Sequence, residues 1–444
     1  MEIFPRSPTA MMASQPSNDA SNDVSNDVNN DVSTEVNIEA GADDIRRLRP
    51  RGSNQIGMSQ FNERVVLQTI RLHGPMPKAD LARLTNLSTQ TISLIINRLL
   101  EEGFVLKLDA LRGKVGQPSV PIALDPDGAF SIGIKIGRRN LDVLLIDFVG
   151  RTRARSSLSY TFPDPDTLFC EIEKQLALLH TELGEVRAKR ISGIGIAAPL
   201  ALGGWQKLLG IAPEQAEKWN RIDICERVQA MTTLPVQFAK DTAAACVAEL
   251  VAGRGRSIKS FLYVFVDTFI GGGLVIDSNL RGGLHGNAGA IGSIPLCLAR
   301  RDGAAPPEQL LSAASLFSLE RSFIAAGLDD TACYDARALL APWREHTQAW
   351  IEHAARAIAF TINNATCLLD LDSVIIDGSC DRTLLKALLS QVELALDFYN
   401  WEGVARPSVL AGTIGSDARA IGGALLPLYA NFAPDNGLFL KSDK

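Results

Sequence analysis

The chain has 444 residues, 46% hydrophobic and 21% charged, with a net charge of −6. That length calls for two or three domains, and the composition is that of an ordinary soluble globular protein rather than a disordered or fibrous one. No run of about 18 apolar residues is present, so no transmembrane helix is expected. The start MEIFPRSPTAMMASQPS lacks the basic-then-apolar pattern of a secretory leader. Seven scattered cysteines form no CxxC pair, which points to buried thiols in a reducing cytoplasm rather than disulfides or a zinc ribbon.

The charge is unevenly distributed. From Arg46 to Lys114 there are twelve Arg/Lys against five Asp/Glu, a local balance of +7 within an acidic chain. Such a patch is the footprint of a module that contacts phosphates.

Residues 1–50 read as a disordered acidic tail and a basic arm. A four-residue repeat, SNDA-SNDV-SNDV-NNDV-STEV, runs from Ser17 to Val36 and offers too few apolar side chains to offset ordering. The arm that follows, DDIRRLRPRGSNQIG, can add phosphate or minor-groove contacts.

Residues 51–125 have the order of a winged helix-turn-helix. A first helix is predicted over about 59–72, with Val65, Val66 and Ile70 inward, and Gly74-Pro75 stop it. A short second helix, Lys78 to Leu84, carries Leu81 and Leu84, and Thr85-Asn86-Leu87 makes the turn. Ser88 suits the N-cap of a third helix. There Ile92, Ile95, Ile96, Leu99 and Leu100 fall on one stripe at helical spacing. The opposite face presents Thr89, Gln90, Thr91, Ser93 and Asn97, short donor–acceptor side chains near the helix start, as major-groove recognition requires. Ser88, Lys78 and Arg98 flank this face. The strand opened by Gly103-Phe104-Val105 leads to a flexible basic wing tip with Arg112, Lys114 and Gln117. These eleven residues are the candidate DNA contacts, with operator DNA as the partner.

From residue 126 the texture becomes α/β. FSIGIKIG (130–137), LDVLLIDF (141–148) and RTRARSSLSY read as successive strands, followed by a helix near 166–185 and the strand ISGIGIAAP (191–199). Further strands are expected at 261–267, 271–276, 373–377 and 408–412. Helices are expected at 241–253, 347–369, 384–399 and 417–429. Strands followed by alternating helices and strands, done twice, indicate two α/β lobes with a cleft between them.

The winged helix, GIGIAAP, Trp219, KDTAAACVAE, IGGGLVI, GNAGAIGSIP and GTIGSDARAIGGALL, in that order, resemble the ROK family of repressors, open reading frames and kinases. The resemblance runs from about Asn54 to Leu426. The DNA-binding module places the chain beside the sugar-responsive branch that includes xylose and N-acetylglucosamine repressors. It implies an actin-like ATPase (ROK sugar kinase-like) domain over 126–444, with lobes 126–240 plus the C-terminal helix near 417–444, and 241–416. It also implies a homodimer or homotetramer.

The resemblance also locates where kinase chemistry would sit. Family kinases look like DxGxT in the first hairpin, where the acid helps hold magnesium. Here the stretch is Lys135-Ile136-Gly137-Arg138-Arg139, a cation in place of the acid. The second phosphate loop, similar to GTGIGGG in the kinases, is Asp267-Thr268-Phe269-Ile270-Gly271-Gly272-Gly273, with charge and bulk where a triphosphate would lie. The ExGH motif and cysteine cluster that hold sugar and zinc become Ala290-Ile291-Gly292-Ser293 and a single Cys297. The implied reading has no catalytic residues, no cofactor and no metal.

Two acids match family positions: Asp241, the kinases' general base, and Glu308, which binds sugar hydroxyls. Carboxylates can hold a polyol without performing chemistry. Asp241 can also serve as a helix N-cap, a role compatible with holding a ligand, and Glu308 as a cap or a solvated side chain. Lys240 stands where the family has Asn and can reach a carboxylate, phosphate or hydroxyl. With Asn287 and Ser293 these form the candidate ligand set. The expectation is a cytoplasmic, DNA-binding transcriptional regulator, a repressor that senses a sugar, polyol or derivative without phosphorylating it. An active sugar kinase with a DNA-binding module and a protein-binding scaffold are the competing classes.

Overall fold

The computed structural model describes residues 55–110, 119–204, 212–299 and 305–434. The acidic repeat, most of the basic arm and the wing tip with Arg112, Lys114 and Gln117 lie outside the described residues.

Three helices open the described chain: α1 (Gln55–His73), α2 (Lys78–Thr85) and α3 (Thr89–Glu101). Gly74, at φ 81°, ends the first, and Asn86 adopts the left-handed conformation that turns α2 into α3. Strands β1 (Val105–Lys107) and β2 (Ile122–Leu124) pair antiparallel as the base of the wing. The α3 stripe behaves as its period requires, with Ile92, Ile95, Ile96 and Leu99 buried. In α2, Leu81 is buried while Leu84 is 45% exposed. One inward expectation fails. Val65 is only half-buried, and Leu67 takes the inward place.

Each lobe carries a five-stranded sheet of the same design. In the first, β3 (Phe130–Ile136), β4 (Asn140–Asp147) and β5 (Thr152–Ser159) form an antiparallel meander. Helix α4 (Pro165–Ala188) then crosses to β6 (Ile191–Ala198), parallel to β3. Helices α5 (Pro213–Asn220) and α6 (Ile224–Gln229) lead to β7 (Val236–Lys240), parallel to β6. Helix α7 (Asp241–Ala252) passes to the second lobe. There β8 (Phe261–Val266), β9 (Gly271–Ile276) and β10 (Asn279–Arg281) repeat the meander.

After the small helices α8 (Leu310–Ala314) and α9 (Leu316–Ala325) comes the long α10 (Arg344–Leu369). Strand β11 (Ser373–Gly378) follows, parallel to β8. Helix α11 (Arg382–Leu396) leads to β12 (Ser408–Ala411), parallel to β11, and α12 (Ala418–Phe432) closes the fold. The orders β5-β4-β3-β6-β7 and β10-β9-β8-β11-β12 match strand for strand. A sheet repeated in this way is the actin-like ATPase architecture. The elements at 213–229, 236–240 and 310–325 are additions to the sequence reading.

Helices α7 and α12 pack against each other between the sheets, with α12 also lying on β3, β4 and β6. The GG pair in IGGALL makes this possible. A Cβ on Gly422 would overlap the Ala244 carbonyl, and one on Gly195 of β6 would overlap the carbonyl of Gly423. Only glycine permits backbones to approach so closely.

The winged module belongs to the same compact unit as both lobes. One apolar cluster runs from Val66, Ile70 and Ile96 through Phe104 and Phe148 to Leu425 and Phe432. The Phe104, Phe148 and Phe432 rings stand 4.8–5.7 Å apart, two of the contacts edge-on. The first lobe contributes Arg190, which donates to the carbonyls of Glu102, Gly103 and Gly128. From beyond α7, Arg256 donates to the carbonyls of Arg71 and Leu72 at the end of α1.

Candidate DNA-binding and ligand-binding sites

Ser88 caps α3 by accepting from the Thr91 amide at 3.1 Å, and its hydroxyl shares a 2.8 Å hydrogen bond with that of Thr91. A cap satisfies one of the free amides at a helix start and fixes the direction in which the first turn points. Thr89, Gln90 and Asn97 are exposed, and Ser93 is half-exposed on the same face. Lys78 of α2 donates to Asn97 Oδ1 at 3.4 Å, so the two helices present one polar edge.

Arg98 is placed differently from its neighbours. Its guanidinium pairs with buried Glu63 at 2.8 Å and with Glu102 at 3.1 Å. Burial raises the Glu63 carboxyl while Arg98 opposes that shift, so this cation holds α3 to α1. Leu94, 73% exposed, was missed. It lies four residues from Gln90 on the outward face, where an apolar side chain can meet a thymine methyl.

The cleft between the lobes contains two adjoining cavities that share Arg138, Pro199, Asp241 and Phe269. The larger, about 320 Å³, lies where the resemblance places the nucleotide phosphates, and its walls are charged. Lys135, only 3% exposed, donates to Asn140 and to Asp142 at 3.2 Å. Burial, and then the Arg419 charge, pushes the Lys135 ammonium down to about 8. Asp142 also accepts from Ser157 at 2.5 Å and pairs with Arg155 at 3.1 Å, and Arg155 reaches Asp417 at 2.8 Å.

Asp267 forms an ion pair with Arg419 of α12. Burial alone would raise its carboxyl, but Arg419 and Lys135 bring it below the ordinary range. Across the cleft, Arg139 makes two 2.8 Å hydrogen bonds to Glu320, which also accepts from Tyr334 at 2.7 Å. A buried ammonium already paired to the local carboxylate cannot join a magnesium shell. Apart from Arg138, the cations lining this cavity are held in ion pairs, so these residues do not fit a metal–nucleotide complex. Nor do Ala290, Ser293 and exposed Cys297 fit a zinc site.

The smaller cavity, about 250 Å³, is lined by Lys240, Asp241, Asn287 and Ser293. Lys240 donates to Asn287 Oδ1 at 2.9 Å, and burial lowers its ammonium. Asp241 opens α7 and accepts from the Thr242 amide at 2.8 Å, with Arg419 4.0 Å away. Its helix-start and cleft positions therefore coexist. Glu308 stands apart. It lines neither cavity, is about half exposed and faces His353 Nε2 at 3.7 Å. Its backbone carbonyl accepts from the Leu296 amide at 2.8 Å.

Two actin-like lobes around a cleft, preceded by a winged helix, define a sugar-kinase-like protein that carries a DNA-binding module. Residues 131–429 match the ROK family model, and residues 61–110 match that of the MarR family. The chain belongs to the ROK family. It is 25% identical over 288 residues to a putative xylose repressor of Caldicellulosiruptor sp. (strain Rt8B.4), covering 62% of this chain and 70% of the relative. Among solved structures, a ROK family transcriptional regulator described as a homologue of the E. coli MLC protein superposes with a TM-score of 0.63. It shares 19% identity and covers 86% of this chain and 98% of its own. A ROK glucokinase from Streptomyces griseus, solved with glucose and AMPPNP, superposes with a TM-score of 0.53 at 20% identity. It covers 67% of this chain and 99% of its own. No helix among the described residues is long and apolar enough to cross a membrane.

Proposed function

We propose that the protein is a cytoplasmic transcriptional repressor whose kinase-like lobes sense a small polyhydroxylated ligand without phosphorylating it. The observation that carries this reading is the exposed polar face of α3, bonded to lobes whose phosphate cavity is crossed by ion pairs. Similarity to a putative xylose repressor supports the same reading.

Thr89, Gln90, Ser93 and Asn97 read base edges in the major groove, with Leu94 beside them, while Ser88, Thr91 and Lys78 position the helix. Arg112, Lys114 and Gln117 of the wing add backbone contacts. The protein acts as a homodimer or homotetramer, because two half-sites engaged together give a spacing that a ligand can alter. In the cleft, Lys240, Asp241, Asn287 and Ser293 hold the ligand by hydrogen bonds. The units are the winged module at 51–125 and the sensor at 126–444.

Ligand-driven closure of the lobes shifts Arg190 and Arg256 relative to each other. Since each is bonded to the winged module, closure reorients the recognition helices. The test is anisotropy titration of DNA recovered by in-vitro selection. The Gln90→Ala, Asn97→Ala double variant is expected to bind selected and scrambled DNA alike, with a steep salt dependence retained. Undiminished preference for the selected DNA would refute the assignment.

A further inference from the structure

The charges in the smaller cavity identify the chemical class of its ligand, an inference that rests on the sensor reading above. Of the residues lining it, three are charged: Lys240, Arg138 and Asp241. Asp241 already accepts from the Thr242 amide and has Arg419 behind it. The two cations are less satisfied. Among the described residues neither Lys240 nor Arg138 has a carboxylate within salt-bridge distance. Lys240 donates to the neutral Asn287 amide oxygen.

The Arg138 guanidinium lies 5.0 Å from the centre of the Phe269 ring and donates to the Ala201 carbonyl at 3.3 Å. Its buried Nε has no hydrogen-bond partner. A buried donor left unpaired costs about 1–3 kcal/mol, and two partly desolvated cations beside a single acid form a site built for an anion. Burial lowers both the Lys240 ammonium and the Arg138 guanidinium, a cost that an incoming anion would offset.

Size and charge narrow the class further. The cavity, about 250 Å³, has room for a monosaccharide. Lys240 and Arg138 against Asp241 leave one net positive charge. A phosphate monoester carries about 1.5 to 2 negative charges at neutral pH and would leave excess charge beside Asp241. A carboxylate carries one, and its two oxygens match a guanidinium fork.

We propose that the ligand is a monosaccharide carboxylate, a uronate or aldonate, held through its acid group by Lys240 and Arg138. Its hydroxyls meet Asp241, Asn287 and Ser293. Lys240 sets the selectivity for acid over neutral sugar.

The experiment is isothermal titration of the full chain with D-glucuronate, D-galacturonate and D-gluconate. D-glucose, D-galactose and D-glucose 6-phosphate serve as comparisons. At least one sugar acid is expected to bind about tenfold or more tighter than its neutral parent. Lys240→Met abolishes that preference and Lys240→Arg retains it. If Lys240→Met melts early, Lys240→Gln, which keeps a donor to Asn287, provides the same comparison. Equal binding of a neutral parent, or an unchanged preference in both neutral variants, overturns the proposal and leaves the sugar-sensor reading standing. Tightest binding of glucose 6-phosphate overturns the carboxylate in favour of a phosphate. No binding by any of the six compounds at millimolar concentration overturns the proposal and the sugar-sensor reading together.

Discussion

Replacing Arg190 with methionine removes the guanidinium that ties the winged module to the first lobe, yet keeps most of the aliphatic stem. Arg190 donates to the carbonyls of Glu102 at 2.9 Å and Gly103 at 3.1 Å, and through Nε to that of Gly128 at 2.9 Å. It also lies over the Phe104 ring at 5.7 Å. A hydrogen bond from a charged donor contributes about 1.5–3 kcal/mol, but one amino group is shared between carbonyls and the side chain is half-buried. Two effective bonds at the low end give about 3 kcal/mol for the junction. That is about a hundredfold in the ratio of docked to undocked module.

Hydrogen exchange of the amides in 99–105 reads this ratio directly, because their protection reports local opening. Arg190→Met is expected to lower protection there by about two orders of magnitude while leaving β8 and β11 unchanged. Arg190→Lys, which keeps the charge but loses the planar fork, should fall between. Protection that is the same in all three proteins would refute the idea that this guanidinium couples the module to the lobe.

Three other outcomes follow from the same coordinates. Lys135, pushed down to about 8, loses its proton sooner in the folded chain than in the unfolded one, where lysine titrates near 10.4. The unfolded state therefore binds more protons between those values, and stability rises with pH across that window by up to about 3 kcal/mol. The melting temperature of the native chain should climb from pH 8 to 10 relative to Lys135→Met, and parallel curves would contradict the buried ammonium. Gly422→Ala, whose Cβ meets the Ala244 carbonyl, should cost about 1–3 kcal/mol in urea unfolding. Gly282→Ala, in open space, should leave the midpoint unmoved, and equal midpoints for the two would deny the close α7–α12 packing. Ser88→Ala should destabilise by about 1 kcal/mol through loss of its bond to the Thr91 amide, and an unchanged midpoint would show that the cap contributes nothing.

The parts of the fold that could be read in the sequence are those set by local periodicity. The α3 stripe, the Ser88 cap and the meander at 130–159 each follow from residues a few positions apart. Pairings between distant residues could not be read. Arg139 and Glu320 are 181 positions apart, and Arg155 and Asp417 are 262 apart, so no pattern links them before the lobes meet. The same holds for Arg419, which lies outside the phosphate motifs yet reaches Asp267 from α12. Nor could the ion pair of Arg98 be read, because helical spacing cannot reveal that buried Glu63 lies behind it. At Glu308 the motif gives a position in the chain, but not that its side chain faces His353 outside both cavities. Lys240, Asp241, Asn287 and Ser293 do converge on one cavity, because each stands at a strand end, helix start or loop that the repeated sheets bring to the cleft.

The central claim is that the lobes are a sensor for the winged module and not an enzyme. One titration tests it: selected operator DNA against the full chain, with and without a saturating cleft ligand, in the presence of ATP and magnesium, with the ligand recovered afterwards. A coupling of 1–3 kcal/mol predicts a change in operator affinity of about 5- to 150-fold, with the ligand recovered unphosphorylated. Identical affinities, or a phosphorylated product, would contradict it.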